Sequence, residues 1–195
     1  MIKKIILLFF IIINLSAIAF AANDKNYLGL MKIDPEKNAY VHNNFGLQYL
    51  SIGQYYAAIE EFKIAICLNP DTQATSVFYT NLGDTYMKLG NYVQAQDCYE
   101  RALEKYPLNF NYYQNIVSVY KVRGILDSKL SYLRRHKKTP LDDITIGLIL
   151  IAKGKINDGI TVLDNFVMNE PKLFITDGVK YYLNDIIDAR KKGLI

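Results

Sequence analysis

The sequence contains few of the residues from which catalytic and metal sites are built. Its 195 residues include two histidines, two cysteines and no tryptophan. His42 and His136 are far apart in the chain, and no H-E-x-x-H, C-x-x-C, G-x-S-x-G or phosphate-binding glycine loop occurs. Because catalysis requires convergent groups, we expect no enzyme activity, no catalytic or metal-binding residues and no cofactor.

The chain also lacks a strong excess of charge. Its formal net charge is +4, and its longest basic block is Arg-Arg-His-Lys-Lys at residues 134–138. Nucleic-acid-binding proteins usually carry denser clusters of lysine and arginine, so the sequence does not favour nucleic acid as a partner. Hydrophobic residues make up 51% of the chain, which is enough for the core of one domain.

The first 22 residues have the pattern of a secretory signal peptide. Lys3 and Lys4 precede an apolar stretch at 5–15, and Ala-Phe-Ala at 19–21 fits a cleavage site. The apolar stretch is shorter than the ~20 residues of a membrane-spanning helix, so we favour cleavage over an uncleaved inner-membrane anchor. The abundance of isoleucine, asparagine, lysine and tyrosine is typical of AT-rich bacterial genomes. We therefore expect a periplasmic or secreted bacterial protein that is not inserted in a membrane after cleavage.

One segment of the chain recurs 37 positions later. The recurring positions carry glycine, alanine, aromatic residues and proline at fixed spacing. The pairs are Gly46 and Gly83, Tyr49 and Tyr86, Gly53 and Gly90, Tyr55 and Tyr92, Ala58 and Ala95, Phe62 and Tyr99, Ala65 and Ala102, and Pro70 and Pro107. Agreement at this many positions indicates an internal repeat.

Two weaker copies follow. The third keeps Tyr120 and Gly124, but Val117 and Lys129 replace two of the small residues. The fourth copy begins 30 residues further on, and its matching positions are Gly147, Leu150, Gly154, Ile156, Gly159, Leu163, Phe166 and Pro171. The second and third copies are 34 residues apart, so this interval is shorter by four residues, about one helical turn. We predict that the turn is lost around residues 136–140.

Each copy has the pattern of a helical hairpin. Apolar residues recur three and four positions apart in 43–50 and again in 55–68, and only residues 51–54 separate these runs. Gly46 would let the second helix approach closely, and Pro70 marks its end. An ordinary helical bundle is the alternative, but it does not explain the fixed spacing of glycine, alanine and proline.

These copies resemble the tetratricopeptide repeat, a helix–turn–helix unit. The matching motifs are Phe45-Gly46-x-x-Tyr49…Ala58…Phe62…Pro70 and Leu82-Gly83-x-x-Tyr86…Ala95…Tyr99…Pro107. His42 and Tyr79 stand where the family pattern opens with tryptophan, and we interpret His42 as a substitute for it rather than a ligand. The resemblance implies an all-α, right-handed α-solenoid of about four repeats with a C-terminal capping helix.

The predicted organisation follows the repeat boundaries. We expect a signal peptide at 1–22, a polar segment at 23–38, repeats at 39–72, 76–109, 110–139 and 140–173, and a capping helix in 174–195. We predict Asp177 as the N-cap of that helix. Its apolar face would comprise Val179, Tyr182, Leu183, Ile186 and Ile187, and its water-facing side Lys180, Asp185, Asp188, Arg190 and Lys191.

The two cysteines are not expected to form a disulfide. Cys67 and Cys98 are offset by six positions within neighbouring copies, which is ~9 Å along a helix. We predict that both are buried thiols that act as small apolar residues.

The resemblance also implies that the first helix of each repeat lines a concave groove. The predicted groove residues are Tyr40, Asn43, Asn44, Leu47, Val77, Thr80, Asn81, Asp84, Lys88, Asn111, Gln114, Asn115, Ser118 and Lys121. Asn44, Asn81 and Asn115 hold the same place in successive copies. Their amides could pair with the backbone of an extended peptide, or they could simply solvate the groove.

Two further features bear on the ligand. Some members of the family bind a peptide's C-terminal carboxylate with basic residues on these helices, but Asn43, Thr80 and Gln114 occupy the corresponding places, which disfavours that mode. In the fourth copy an apolar patch is predicted at Leu141, Ile144 and Leu148. It would receive either an apolar side chain of a partner or the N-terminal segment.

The sequence therefore predicts a non-catalytic adaptor of the bacterial envelope that binds a protein or an extended peptide in its groove. The alternative is a structural or assembly subunit of an envelope complex, such as a pilus, secretion or outer-membrane machine, that uses its convex face or its ends. The sequence gives no indication of the oligomeric state.

Overall fold

The computed structural model describes residues 35–193, so the predicted signal peptide and residues 23–34 lie outside the described residues. Within 35–193 the chain forms nine α-helices and no β-strand, which confirms the all-α prediction. The helices are α1 (Pro35–Ser51), α2 (Tyr55–Leu68), α3 (Gln73–Lys88), α4 (Tyr92–Lys105), α5 (Phe110–Val122), α6 (Leu126–His136), α7 (Asp142–Ala152), α8 (Ile156–Asn169) and α9 (Ile175–Lys191). Helix α1 begins four positions before the predicted repeat region.

Consecutive helices pair into four hairpins, α1–α2, α3–α4, α5–α6 and α7–α8. Each hairpin turn contains a glycine with positive φ, at 76° in Gly53, 75° in Gly90, 68° in Gly124 and 80° in Gly154. Glycine adopts this conformation readily because it has no Cβ. These glycines hold the same place in every copy, so the turns found from the repeat spacing are confirmed.

The second helices end where the sequence predicted. α2, α4 and α8 end two residues before Pro70, Pro107 and Pro171. α6 has 11 residues whereas α2 and α4 have 14, and α6 stops at His136. The predicted shortening of the third copy is therefore confirmed.

Glycines on the first helices set the distance within the first, second and fourth hairpins. A Cβ added at Gly46 would lie 2.5 Å from Cε1 of Phe62, and one at Gly83 would lie 2.7 Å from Cε1 of Tyr99. In the fourth hairpin Gly147 faces Leu163 in the same way, with 2.6 Å to Cγ. A side chain larger than hydrogen does not fit at these positions, so each glycine forms a socket for a large residue of the second helix.

Neighbouring hairpins pack through apolar residues of their facing helices. Phe78 of α3 is fully buried against Ala39 of α1 and Ala65 of α2. A hydroxyl contact supports this junction, because Oγ1 of Thr75 donates to the carbonyl oxygen of Asn69, 2.5 Å away. A second cluster of buried residues extends through α4 to α9 and forms the largest part of the core.

The C-terminal helix α9 covers the end of the array, as predicted. Val179, Leu183 and Ile186 are buried, and the charged residues predicted to face water are all exposed. The prediction of Asp177 as the N-cap is wrong. Phe174 occupies the cap position, and Asp177 lies in the first turn, where a carboxylate still interacts favourably with the helix dipole.

His42 and the two cysteines are also placed by the structure. Nδ1 of His42 lies 2.6 Å from Oε2 of Glu61, so this histidine links α1 to α2 by a hydrogen bond. Cys67 and Cys98 are both free thiols. Cys98 is buried as predicted, but Cys67 is exposed, so the prediction of two buried thiols is wrong for Cys67.

The two thiols should differ strongly in reactivity. Burial raises the pKa of Cys98 to about 12, which leaves little of the reactive thiolate at neutral pH. With Ellman's reagent we expect one equivalent to react quickly in the folded protein, and the second only on unfolding. A Cys67→Ser variant should lose the fast phase. Equal rates for both thiols would contradict this assignment.

Candidate peptide-binding surface

The side of α1, α3 and α5 that carries the predicted groove residues is called the groove surface below. The three asparagines in register are not equivalent there. Nδ2 of Asn81 donates to Oδ1 of Asn43 at 2.8 Å, and Asn43 is buried. Asn44 is exposed and Asn115 is half-buried, and neither makes a side-chain hydrogen bond within 35–193. The amides open to a ligand are therefore those of Asn44 and Asn115, whereas Asn43 and Asn81 join two hairpins.

Two other groove residues of α3 also have internal partners. Oγ1 of Thr80 donates to the backbone oxygen of Ser76 at 2.9 Å. The hydroxyl of Tyr99 donates to Oδ1 of Asp84 at 2.6 Å, across the interior of the second hairpin. Thr80 and Asp84 thus contribute to the shape of the groove surface, and peptide contact by these residues stays a prediction.

Asp84 should make stability depend on pH. Burial raises the pKa of this carboxyl above 3.8, and the hydrogen bond from Tyr99 opposes the rise. Because the folded pKa lies above the unfolded one, the stabilisation is full below pH 3.8 and is lost as pH rises through the folded pKa. In urea unfolding, we expect the wild type to lose stability relative to Asp84→Asn as pH rises to neutrality. Exposed Asp164→Asn is the control, and a constant difference between wild type and Asp84→Asn would refute the prediction.

The remaining groove residues give the surface a mixed character. Tyr40, Leu47 and Val77 are 45%, 41% and 45% exposed, which is high for apolar side chains. The ring of Tyr40 also meets Phe78 edge-on, with 5.7 Å between centroids. The other predicted residues are polar: Lys88, Asn111, Ser118 and Lys121 are exposed, and Gln114 is half-buried. The exposed groove residues are thus mostly apolar on α1, mixed on α3 and polar on α5.

The predicted apolar patch on the fourth repeat is not a surface. Ile144 is fully buried, Leu148 is 4% exposed, and Leu141 is half-buried. All three pack in the core cluster that α5, α7, α8 and α9 share. The expectation of a docking patch here is wrong, because α7 packs against α5, α6 and α8, which leaves these residues inside the core.

The structure contains a cleft that the sequence reasoning missed. Helix α9 approaches the start of α5, where a Cβ added at Gly178 would lie 3.0 Å from Cβ of Phe110. Beside this contact is a cavity of about 660 Å³. Its lining includes Tyr106, Asn111, Gln114, Tyr181, Tyr182 and Asp185. Gly178 in the first turn of α9 was the one sequence signal of this close approach.

No other chemistry is evident in the part of the chain that the structure describes. Residues 35–193 contain no group of three or more histidine, cysteine, aspartate or glutamate side chains able to hold a metal ion. None of the nine described helices has both the length and the hydrophobicity to cross a bilayer.

Comparison with known proteins identifies the repeat. Residues 76–109 match the family model described as tetratricopeptide repeat. The chain is 28% identical over 100 residues to the photosystem I assembly protein Ycf3 of one Prochlorococcus marinus strain, SARG, a match that spans 49% of this chain and 58% of that protein. It is 27% identical over 107 residues to the same protein of Prochlorococcus marinus subspecies pastoris, a match that spans 54% of this chain and 62% of that protein. The matches thus span less than two thirds of these curated relatives.

Several solved structures are similar to this chain along much of its length. MamA has a TM-score of 0.46 and 21% identity, with 75% of this chain and 85% of MamA covered. YrrB, described as a TPR protein with an unusual peptide-binding site, has a TM-score of 0.45 and 19% identity, with 74% and 76% covered. A tetratricopeptide repeat protein from Parabacteroides merdae has a TM-score of 0.47 and 13% identity, with 87% and 66% covered.

The recurring glycine, alanine and proline positions, the helical hairpins that they build and the family match lead to one conclusion. Residues 76–109 form a tetratricopeptide repeat, within an array of four helical hairpins of the same pattern.

Proposed function

We propose that the chain is an exported adaptor of the bacterial envelope that binds an extended segment of a protein partner on its groove surface, without catalysis. The observation that supports this most is the composition of that surface. Exposed Tyr40 and Leu47 share α1 with the unpaired amide of Asn44, exposed Val77 lies on α3, and the amide of Asn115 is unpaired on α5. Amides can pair with a peptide backbone, and the apolar groups can bury its side chains.

The packing of the groove helices supports the same proposal. The hydrogen bond from Asn81 to Asn43 fixes α3 against α1, and buried Phe78 packs between the same two hairpins. A surface that is already ordered loses little conformational entropy when a ligand binds. The groove surface is thus suited to hold a flexible partner segment.

Site-specific photo-cross-linking tests the groove proposal. A benzophenone amino acid would replace Asn44 or Asn115, and in a matched control it would replace Gln94, an exposed residue of α4. In native envelopes we expect covalent adducts with one defined partner from the two groove positions and none from position 94. Adducts from position 94 alone would overturn groove binding.

The export proposal depends on the sequence pattern of residues 1–22. It is tested by fractionation and N-terminal sequencing of the protein from its native source. We expect recovery from the envelope or the medium, with a mature chain that starts next to Asn23. Recovery from the cytoplasm with Met1 in place would rule out export.

The second candidate is an assembly subunit, and an observation at the first hairpin favours it. Val41, Phe45 and Ile52 stand 37 positions before Phe78, Leu82 and Leu89, which face the preceding hairpin in the second repeat. Val41, Phe45 and Ile52 are instead 41%, 44% and 67% exposed. They offer the kind of surface on which hairpins stack, and an amphipathic helix of a partner subunit would fit it. The name of the curated relatives also refers to assembly.

Native electrophoresis of envelope extracts separates the two candidates. If the assembly candidate is correct, Phe45→Lys should release the chain from a large complex, and Asn115→Ala should leave the complex intact. If the adaptor candidate is correct, Asn115→Ala should release the chain from its partner, and Phe45→Lys should leave that complex intact. Phe45 is already 44% exposed, so its exchange should not prevent folding.

A further inference from the structure

The geometry points to a specific ligand for the cleft between α5 and α9: we infer that it binds an arginine or lysine side chain on the extended segment of a partner protein. This inference deepens the proposed function and rests on it, because Asn111 and Gln114 belong both to the groove surface and to the lining of the cleft. The cavity of about 660 Å³ falls in the range of ligand-binding pockets.

The charge of the cleft selects the ligand. The carboxylates of Asp177 and Asp185 are its only lining groups that are ordinarily charged, and no lysine or arginine is among the lining residues. Asp177 already lies 3.4 Å from Nζ of Lys180. Asp185 has no ion pair or side-chain hydrogen bond within residues 35–193. An anionic group would be repelled here, whereas a cation would find a free partner in Asp185.

Aromatic rings define the shape of the site. Tyr106, Tyr181 and Tyr182 line the cleft together with Phe174. Tyr181 and Phe174 are 71% and 75% exposed, an unusual exposure for two rings at one opening. The faces of such rings attract ammonium and guanidinium groups, and the methylene stems of lysine and arginine cover apolar surface. The same rings have no preference for a carboxylate.

The amide side chains of the cleft are suited to bind the backbone of the same partner segment. Asn111 is exposed and Gln114 is half-buried, and the Gln114 side chain has no hydrogen-bond partner within the described residues. Both can donate to and accept from a backbone that continues along α5 towards Asn115. The cleft would therefore hold one basic side chain while the groove surface holds the adjoining main chain.

The test measures binding of a fluorescein-labelled peptide of alternating arginine and glycine by anisotropy. The control peptide carries citrulline at each arginine position, which keeps the shape and removes the charge. The protein itself has a formal charge of +4, so general attraction does not favour a basic peptide. We expect the citrulline peptide and a glutamate peptide to bind at least about tenfold more weakly.

Variants assign the binding to the cleft. Asp185→Asn and Tyr181→Ala, both at exposed positions, should each weaken arginine-peptide binding about two- to fivefold. Asp188→Asn, one turn further along α9 and outside the lining, should have no effect. The inference is overturned if Asp185→Asn binds like wild type, if the citrulline peptide binds equally well, or if spermidine binds as tightly as the peptide, which would indicate a site for small free cations.

The outcomes also separate this inference from the proposed function. Suppose that position 115 gives adducts in envelopes but that Asp185→Asn does not weaken binding of the arginine peptide. This result would refute the inference about the cleft and leave the adaptor proposal intact. Arginine binding that depends on Asp185, without adducts from position 44 or 115, would refute the adaptor proposal and leave the chemistry of the cleft established.

Discussion

Gly159→Ala is expected to lower the free energy of unfolding by about 1–3 kcal/mol, the usual cost of overpacking. In an exposed helix interior the same exchange would stabilise by about 1 kcal/mol, so the sign of the effect is diagnostic. A Cβ at position 159 would lie 2.5 Å from Cγ1 of Ile151 and 2.7 Å from the backbone oxygen of Gly147. Side chains can move away, but the backbone of α7 can do so only if the two helices separate.

Urea unfolding followed by circular dichroism measures this effect. Asn165→Ala is the matched control, because it places the same residue at an exposed position of α8. We expect it to change stability by less than about 0.5 kcal/mol. A Gly159→Ala variant as stable as wild type would show that α7 and α8 do not approach as closely as described.

Phe78→Ala should have the largest effect, a loss of about 3–5 kcal/mol. Phe78 is fully buried between the first and second hairpins, where it meets Ala39 and Ala65. Three of its neighbours, Ala39, Ala65 and Ala74, are alanines, whose short side chains cannot fill the space it leaves. In repeat arrays stability depends on the contacts between neighbours, so this truncation should uncouple the first hairpin from the rest.

Hydrogen exchange followed by mass spectrometry localises that uncoupling. In Phe78→Ala we expect residues 35–68 to lose protection before residues 110–190 do. The control is Val77→Ala, which removes an exposed side chain at the adjacent position of α3. Uniform loss of protection along the chain would mean that the hairpins do not behave as separate units.

The repeat pattern was enough to predict the hairpins, their turns and most of their ends. It succeeded because Gly53, Gly90 and Pro70 act locally, through backbone conformation and the missing amide hydrogen of proline. The pattern also predicted the sockets at Gly46 and Gly83, since the residues that fill them recur at the same spacing.

Contacts between distant parts of the chain were beyond the pattern. The approach of α9 to α5 depends on how each hairpin is oriented on the previous one, which no local spacing records. For that reason Leu148 was expected at the surface and is buried, and the cleft near Tyr181 was not predicted. The hydrogen bond from Asn81 to Asn43 is another such contact, and it leaves only part of the predicted amide series open.

The central claim is that glycine sockets on the first helices hold the second helices and so shape the groove surface. A double-mutant cycle of Gly46→Ala and Phe62→Leu, read out as free energy of unfolding, tests it most directly. Because the added methyl group would occupy the space of the Phe62 ring, the two losses should not add: the double variant should be more stable than their sum by about 1 kcal/mol or more. Losses that add within about 0.5 kcal/mol would contradict the account.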